Sequence, residues 1–439
     1  MKLAKLSLAA IVVAGLATSS FAADNLADAF KNGKVSGELR AWYFDRDTNN
    51  GLGLAKGDTG IANFGVQLGY VTDSLYGFSV GATFQSNSAA FASNEAKQLF
   101  ATDEYGSGAS LSEAYLAYNM KNTTVKVGRQ YIATPLVGSS PGRMMREAFE
   151  GAVIVNTDLP ATTLIGGYVT KFQGRTGTVE NTLGTGLVAS TYDAGGPSFQ
   201  KAAVFYGAKN ASGSTLANDY LAFDGAYTVG IINKSLTNLA LTAQYAVIND
   251  VATLGDVDIY YVEANYVLPL SGFKLGFDLN YRGSKTATAL DVYNLEGTYT
   301  AARVSISELA GFGASLAYGT TSNDDAAILG VGNSPAVYTG TLIRASAPQA
   351  AKSTDSYRFD ITYDFSKVGV AGLKALGSYG YAKQDLAADT KYTSYAGAVS
   401  YDVAAIKGLS LIAQYETQEK EDAKSVDTNE FRFLANYKF

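Results

Sequence analysis

The chain has no cysteine and no histidine, and only 1 tryptophan and 7 prolines in 439 residues. Without cysteine there are no disulfides and no thiolate metal sites. Without histidine the commonest general base and the commonest metal ligand are both missing. These absences weigh against an enzyme and leave only a carboxylate-based site to consider; neither a metal nor another cofactor is expected. Scarce proline, with no Pro-rich or Ser-rich linker, argues for one domain. No stretch reaches about 18 consecutive apolar residues, so no transmembrane helix is expected. A net charge of −6 with no clustered Lys and Arg excludes nucleic acid as a partner.

What is present begins at the N-terminus. Lys2 and Lys5 precede an apolar run from Leu6 to Leu16, and Ser20 and Ala22 occupy positions −3 and −1 of a cut before Ala23. That run is too short to span a bilayer, which takes about 20 helical residues. Residues 1–22 are therefore expected to be a secretory signal peptide. Its removal takes away Lys2 and Lys5 and no acid, moving the net charge from −6 to −8. Residues 23–33 read as a short leader of one or two helical turns, and 34–439 as a single domain.

Apolar and polar residues alternate strictly in many short windows, the pattern of strands with two unlike faces. In 273–282, Phe273, Leu275, Phe277, Leu279 and Tyr281 oppose Lys274, Gly276, Asp278, Asn280 and Arg282. In 357–366, Tyr357, Phe359, Ile361, Tyr363 and Phe365 oppose Arg358, Asp360, Thr362, Asp364 and Ser366. The terminus repeats it, Phe431, Phe433, Tyr437 and Phe439 lying opposite Glu430, Arg432, Asn436 and Lys438. A soluble sandwich also alternates. Aromatic-rich apolar faces, full charges along the polar faces and segments of about ten residues favour a membrane barrel, the only closed way to span lipid with strands. The expected fold is all-β, a transmembrane antiparallel β-barrel of 18 strands, with 16 as the alternative. Connections alternate between short periplasmic turns (121–122, 158–160, 268–271) and mostly long outer loops (47–60, 88–109, 131–148, 173–218, 321–354). A segment at 199–207 would break the alternation as a strand and is assigned to an outer loop; 219–230 and 291–303 are counted as strands.

The run from Gly128 to Arg175 resembles the OprD-type porin family, in the form seen in Campylobacter-like bacteria. Its matching elements are Gly128-Arg129-Gln130, Thr134-Pro135-Leu136, Arg143-Met144, Phe149-Glu150 and Leu159-Pro160. The aromatic terminus, Asn436-Tyr437-Lys438-Phe439, is shared with outer-membrane barrels generally and marks Phe439 as a barrel-assembly signal. The resemblance implies 18 strands, a third outer loop folded inward, and uptake of small carboxylate-bearing solutes past a basic ladder. Counting strands independently makes 131–148 the third outer loop.

Candidate constriction residues are therefore Arg143, Arg146, Glu147 and Glu150, whose opposed charges would order solutes by sign. The competing reading is that they only pair with one another and pin the loop. Alternation places Glu38, Arg40, Lys274, Asp278, Arg282, Arg358, Asp360 and Arg432 in the lumen, and barrel closure brings Glu38, Arg40, Glu430 and Arg432 together. Strict parity points Arg129 at lipid unless a bulge or an early strand end intervenes. Arg175 is expected at the outer rim, in water. Asn323-Asp324-Asp325 lacks the spaced oxygens of an EF-hand and reads as a solvated loop.

The expected function is an outer-membrane porin, a passive diffusion channel for small polar solutes with a preference for carboxylate-bearing ones. The alternative is a structural or adhesive barrel whose loops bind a surface partner. An outer-membrane hydrolase would need a histidine base, and an energised receptor would need about 22 strands and a separate plug. Expected partners are small polar or anionic solutes, outer-membrane lipids with lipopolysaccharide, and the barrel-assembly machinery; a homo-trimer and a monomer both stay open.

Overall fold

Eighteen antiparallel strands close on themselves in a computed structural model that describes residues 23–48, 59–101, 103–177, 196–207, 220–332, 337–343, 348–385, 390–421 and 427–439. The signal segment 1–22 lies outside the described residues. The strands are β1 Lys34–Thr48, β2 Gly60–Val71, β3 Phe78–Asn87, β4 Gly108–Met120, β5 Thr123–Gln130, β6 Ala148–Asn156, β7 Thr162–Gln173, β8 Gly225–Asn233 and β9 Leu239–Asn249. They continue as β10 Val257–Leu270, β11 Phe273–Thr286, β12 Thr298–Leu309, β13 Phe312–Thr321, β14 Thr354–Asp364, β15 Leu373–Gln384, β16 Thr390–Asp402, β17 Leu409–Glu421 and β18 Thr428–Lys438. Each pairs with the next, and β18 returns to β1 with Leu39 opposite Tyr437 and Arg40 opposite Asn436. Phe439 fastens the seam: its backbone N–H donates to the Gly37 carbonyl at 3.1 Å and its own carbonyl accepts from Gly37 at 3.0 Å. A side chain at Gly37 would strike the Phe439 ring, so glycine is what lets the terminal aromatic lie across β1. With no free edge, every strand can satisfy its backbone groups in lipid.

Alternation decides the two faces. Phe277, Leu279 and Tyr281 are exposed on the outside of β11 while Asp278, Asn280 and Arg282 are buried inside. Aromatics collect at both ends of the outer face. Toward the short turns lie Phe78 with Tyr118 and Phe312 with Tyr363; toward the long loops lie Tyr168 with Tyr227, Tyr260 with Tyr281, Tyr318 with Tyr357, and Tyr379 with Tyr395. Such rings suit the two lipid–water boundaries, their apolar bodies in lipid and their hydroxyls in the wet zone.

Two strand expectations shift in place. The strand expected at 219–230 runs Gly225–Asn233, because Tyr220–Ala222 instead joins Ala202–Tyr206 and Gly330–Val331 in a small sheet apart from the barrel wall. The strand expected at 291–303 begins at Thr298, its first residues being taken by a 3-10 turn, Thr288–Tyr293. Two short helices complete the description. In the leader, α1 (Leu26–Lys31) is capped by Asn25, which accepts the Asp28 N–H. In the second outer loop, α2 (Asn94–Leu99) is capped by Ser93, which accepts the Ala96 N–H.

Candidate functional site

The loop 131–147 crosses the interior instead of rising from the rim. Near its start, Gln244 of β9 accepts the Leu136 N–H at 2.9 Å and donates to Thr134 Oγ1 at 2.9 Å. Gly138 N–H donates to the Val331 carbonyl at 3.0 Å. The returning half meets the opposite wall. Arg40 Nη1 of β1 donates to the carbonyls of Arg143 and Met144 at 3.1 and 3.0 Å. Gln85 of β3 accepts the Arg146 N–H at 2.9 Å and donates to its carbonyl at 2.6 Å. Loop backbone inside a barrel has no ladder to join, so inward-facing amides and a guanidinium satisfy it. Apolar contacts finish the anchoring: Leu136 and Val137 pack with Phe205, Leu221 and Ile248, and Met144 packs with Trp42, Phe44 and Phe100.

A dense ion network surrounds the returning half. Asp103 pairs with Arg143, with Arg46 at 2.6 Å and with Arg175 at 3.8 Å. Glu430 pairs with Arg46 at 2.7 Å and Arg432 at 2.6 Å, Glu147 with Arg175 at 3.0 Å, and Glu38 with Arg40 at 3.0 Å. Burial would raise the Asp103 carboxyl, but Arg143, Arg46 and Arg175 together hold it well below the usual range. Burial would likewise lower the Arg143 guanidinium, and Asp103 beside it raises it. Glu104 differs: burial pushes it up to about 7, although it faces Arg143 and accepts the Met144 N–H at 3.1 Å. Arg146 stacks over the Tyr131 ring at 4.0 Å, forms no ion pair among the described residues, and is pushed down by burial. Aromatic faces carry several of these cations, Arg40 lying over Trp42, and Arg143 and Arg432 over Phe44.

A second charged group lies on the wall of β10, β11, β12 and β14. Asp278 holds Arg303 at 2.8 Å and accepts from Asn265 at 2.7 Å. Arg303 stacks over Tyr338, whose hydroxyl donates to Glu263. Arg358 pairs with Asp360 at 2.8 Å and donates to the Gly340 carbonyl. Arg282 donates to Asn280 at 3.0 Å and lies over Tyr261.

Several expected residues sit elsewhere than sequence alone suggests. Glu150 is not at a constriction: β6 turns it outward, with Ile154, because Phe149 takes the inward position, and it pairs with Arg129 and Lys171. Glu147 is fully buried, accepting the Ser140 N–H at 3.1 Å and pairing with Arg175, so it pins the loop and does not face a solute. Arg175 is not in water at the rim; it is buried between Glu147 and Asp103. Arg143 is tied to Asp103. Arg129 does point outward, by parity and without a bulge. Glu38, Arg40, Asp278, Arg282, Arg358, Asp360 and Arg432 face inward, and Lys274 shares their parity at the periplasmic end, where it pairs with Glu308. Arg46, Asp103, Glu104, Arg303 and the inward pair of Glu113 with Lys126, 3.1 Å apart, add to the charges named from sequence. Arg46, Lys126 and Arg303 were within reach of the alternation, since Arg46 continues the row Arg40, Trp42, Phe44; Asp103 and Glu104 lie in a loop that carries no pattern.

Among the described residues no group of three acidic or other ligating side chains could hold a metal. What the described side chains of the interior form is a set of paired charges. A closed 18-stranded barrel with a charged interior crossed by its own loop is an outer-membrane channel of the porin class. The family model for outer membrane porins of the OprD family matches residues 27–439, and the chain belongs to that family, whose members are passive channels of the outer membrane and not enzymes. Three similar solved structures come from Pseudomonas aeruginosa. OccK9 (OpdG) superposes with a TM-score of 0.74 at 16% identity, over 94% of this chain and 100% of that one. OccK8 (OprE) gives 0.71 at 16%, over 93% and 98%, and OpdK, solved with vanillate, gives 0.72 at 15%, over 93% and 99%. At such identities the likeness is one of fold. No curated protein matches in sequence.

Proposed function

We propose that this porin prefers small carboxylate-bearing solutes, and that Arg146 is the residue they meet at the narrowest section. One observation carries the reading. Arg40, Arg46, Arg143, Arg175 and Arg432 each hold a carboxylate, whereas Arg146 forms no ion pair among the described residues and is already largely desolvated. A largely desolvated guanidinium with no carboxylate in direct contact among the described residues offers a passing carboxylate two parallel charge-assisted hydrogen bonds, although Glu113 and Glu38 act on it from farther off. Because it rests on Tyr131, the planar group stays oriented. OpdK, with vanillate in its crystals, provides a carboxylate precedent on the same fold. The remaining arginines hold the loop in place, and Phe439 serves as the terminal signal for the assembly machinery by closing the seam. Reversal potential in a salt gradient, with acetate, succinate and benzoate as blockers of single-channel current, tests the preference. Anion-leaning selectivity and carboxylate block support it; cation selectivity with no block by any of the three would refute it.

A further inference from the structure

A full charge on the lipid side of a barrel needs a reason, since Arg or Lys there costs roughly 2–4 kcal/mol at the midplane and less toward the interfaces. Three neighbouring strands carry one each: Arg129 on β5, Glu150 on β6 and Lys171 on β7. Registers set them side by side, Glu150 facing Arg129 across one ladder and Lys171 across the other. Exposed Val127 and Ile154 share their face. They lie just beyond Tyr168, which stacks on Tyr227 in the outer tyrosine belt at 4.4 Å. The cluster is therefore at headgroup depth on the outer leaflet, not in hydrocarbon.

The three charges do not satisfy one another. One carboxylate faces two cations, at 2.8 Å from Lys171 Nζ and a long 3.4 Å from Arg129 Nε. Arg129 Nη1 adds only a 3.5 Å contact to the Leu111 carbonyl. Those contacts use two of the guanidinium's five N–H donors, and the Arg129 and Lys171 side chains stay 38% and 40% exposed. The Arg129 plane is fixed from one side by Phe199, whose ring lies 4.6 Å from it. Phe199 is delivered by an outer-loop segment that crosses the rim, from Gly196 against Ala109 of β4 to Phe199–Gln200 paired with β7. A ring-backed guanidinium and an ammonium, bridged by one acid, leave a local excess of one positive charge on a chain of net −6.

We infer that Arg129 and Lys171, with Phe199 as backing, bind the phosphate of an anionic glycolipid headgroup in the outer leaflet. Guanidinium and ammonium together match a phosphate's spread of acceptor oxygens, and a basic pair at headgroup depth is the arrangement that anionic lipids recognise. Val127 and Ile154, exposed below, offer the acyl chains an apolar wall. Glu150 sets the spacing of the two cations.

The experiment is lipid retention by the purified full chain in detergent, read by native mass spectrometry after incubation with bisphosphorylated lipid A, with the same lipid dephosphorylated, or with inorganic phosphate alone. The parent should retain the phosphorylated lipid, and R129S/K171S should retain about tenfold less, the worth of one or two charge-assisted bonds. K367S, at an exposed periplasmic turn, should match the parent, and R129K/K171R should stay close to it. E150Q keeps both cations and should retain more, which keeps the inference testable if the double variant does not show the heat-modifiable gel shift of a folded barrel. Equal retention by folded R129S/K171S, or of the dephosphorylated lipid, overturns the site. Binding of inorganic phosphate that matches the lipid overturns the lipid assignment. Loss of an oligomer in R129S/K171S with lipid retention unchanged would make the patch a contact between copies, and also overturns it.

Discussion

The interior holds two charged regions built on different balances. Around the returning half of the loop, Arg40, Arg46, Arg143, Arg146, Arg175 and Arg432 meet Glu38, Asp103, Glu104, Glu147 and Glu430. On the wall of β10, β11, β12 and β14, Arg282, Arg303 and Arg358 meet Glu263, Asp278 and Asp360. The first region makes its positive excess by sharing acids: Asp103 serves three arginines and Glu430 two. The second is even. The chain as a whole is negative, so a solute far from the pore and one inside it meet opposite signs. Surface charge is screened within about 8–10 Å at physiological salt, whereas a field in a narrow, poorly hydrated passage is not. The local excess should therefore govern which solutes pass.

Removing the shared acid should break this comparison most severely. Asp103→Asn leaves Arg46, Arg143 and Arg175 short of a common partner in a desolvated place, and stripping one member of a buried pair costs on the order of 3–5 kcal/mol. The loop should loosen from β1, giving a larger and noisier single-channel current and earlier loss of the heat-modifiable band. Asp360→Asn on the even wall frees a single arginine that also has the Gly340 carbonyl, and its effect should be clearly smaller. Parent-like conductance and noise in Asp103→Asn would show that the shared acid does not hold the constriction.

Removing one arginine from each region sharpens the same contrast without dismantling either. Arg146→Ser takes away a cation that forms no ion pair among the described residues. Reversal potential should move toward cations, conductance should rise, and block by small carboxylates should weaken about five- to tenfold, near the worth of one charge-assisted pair. Arg358→Ser takes away a cation already matched by Asp360, and block should change by less than about twofold, in line with a neutralised pair. Arg143 is a poorer probe, because its loss would also release Asp103. Equal weakening of block by the two variants would mean that the excess around the loop does not select.

How much of this was legible follows from where pattern exists. Strand parity separates Asp278 from Leu279 and Arg358 from Phe359 because burial in a barrel repeats every two residues, so the fold could be read along most of the wall. The loop positions could not. Arg143, Arg146 and Glu147 are close in sequence, yet one is spent on Asp103, one forms no ion pair among the described residues and one is sealed against Arg175, and no periodicity distinguishes them. Arg175 looked like a rim residue because its strand ends beside it, whereas two carboxylates from other loops draw it inside. Glu150 lies just past the loop, and its nearness in sequence to Arg146 does not carry it to the constriction; as the third residue of β6 it obeys strand parity and faces out. Chain connections such as Asp103 to Arg143, 40 residues apart, and Arg40 to Met144, 104 apart, are set by packing alone.

Acidity offers the finest adjustment of the positive excess. The chain has no histidine, so no imidazole titrates between pH 5 and 8. Glu104 does, its carboxyl being pushed by burial from 4.5 up to about 7, with Arg143, Asp103 and Arg432 as its charged neighbours. Asp103 is held far below that range and stays ionised throughout. A folded pKa above the unfolded one means that the stabilising contribution is whole below about 4.5 and is lost as pH rises through about 7, a difference on the order of 3 kcal/mol. Selectivity follows the same sign. Below pH 7 Glu104 is neutral and the excess around the loop is larger; above it a new carboxylate beside Arg143 reduces that excess by one charge. Anion preference and carboxylate block should therefore weaken as pH climbs from 5.5 to 8.5, with a midpoint near 7. Glu104→Gln keeps an acceptor for the Met144 N–H but cannot ionise, so its reversal potential should stay flat across that range at the parent's low-pH value. Arg358→Ser, on the even wall, should retain the parent's inflection. An inflection that persists in Glu104→Gln would assign the titration to another group and leave the excess around the loop independent of pH.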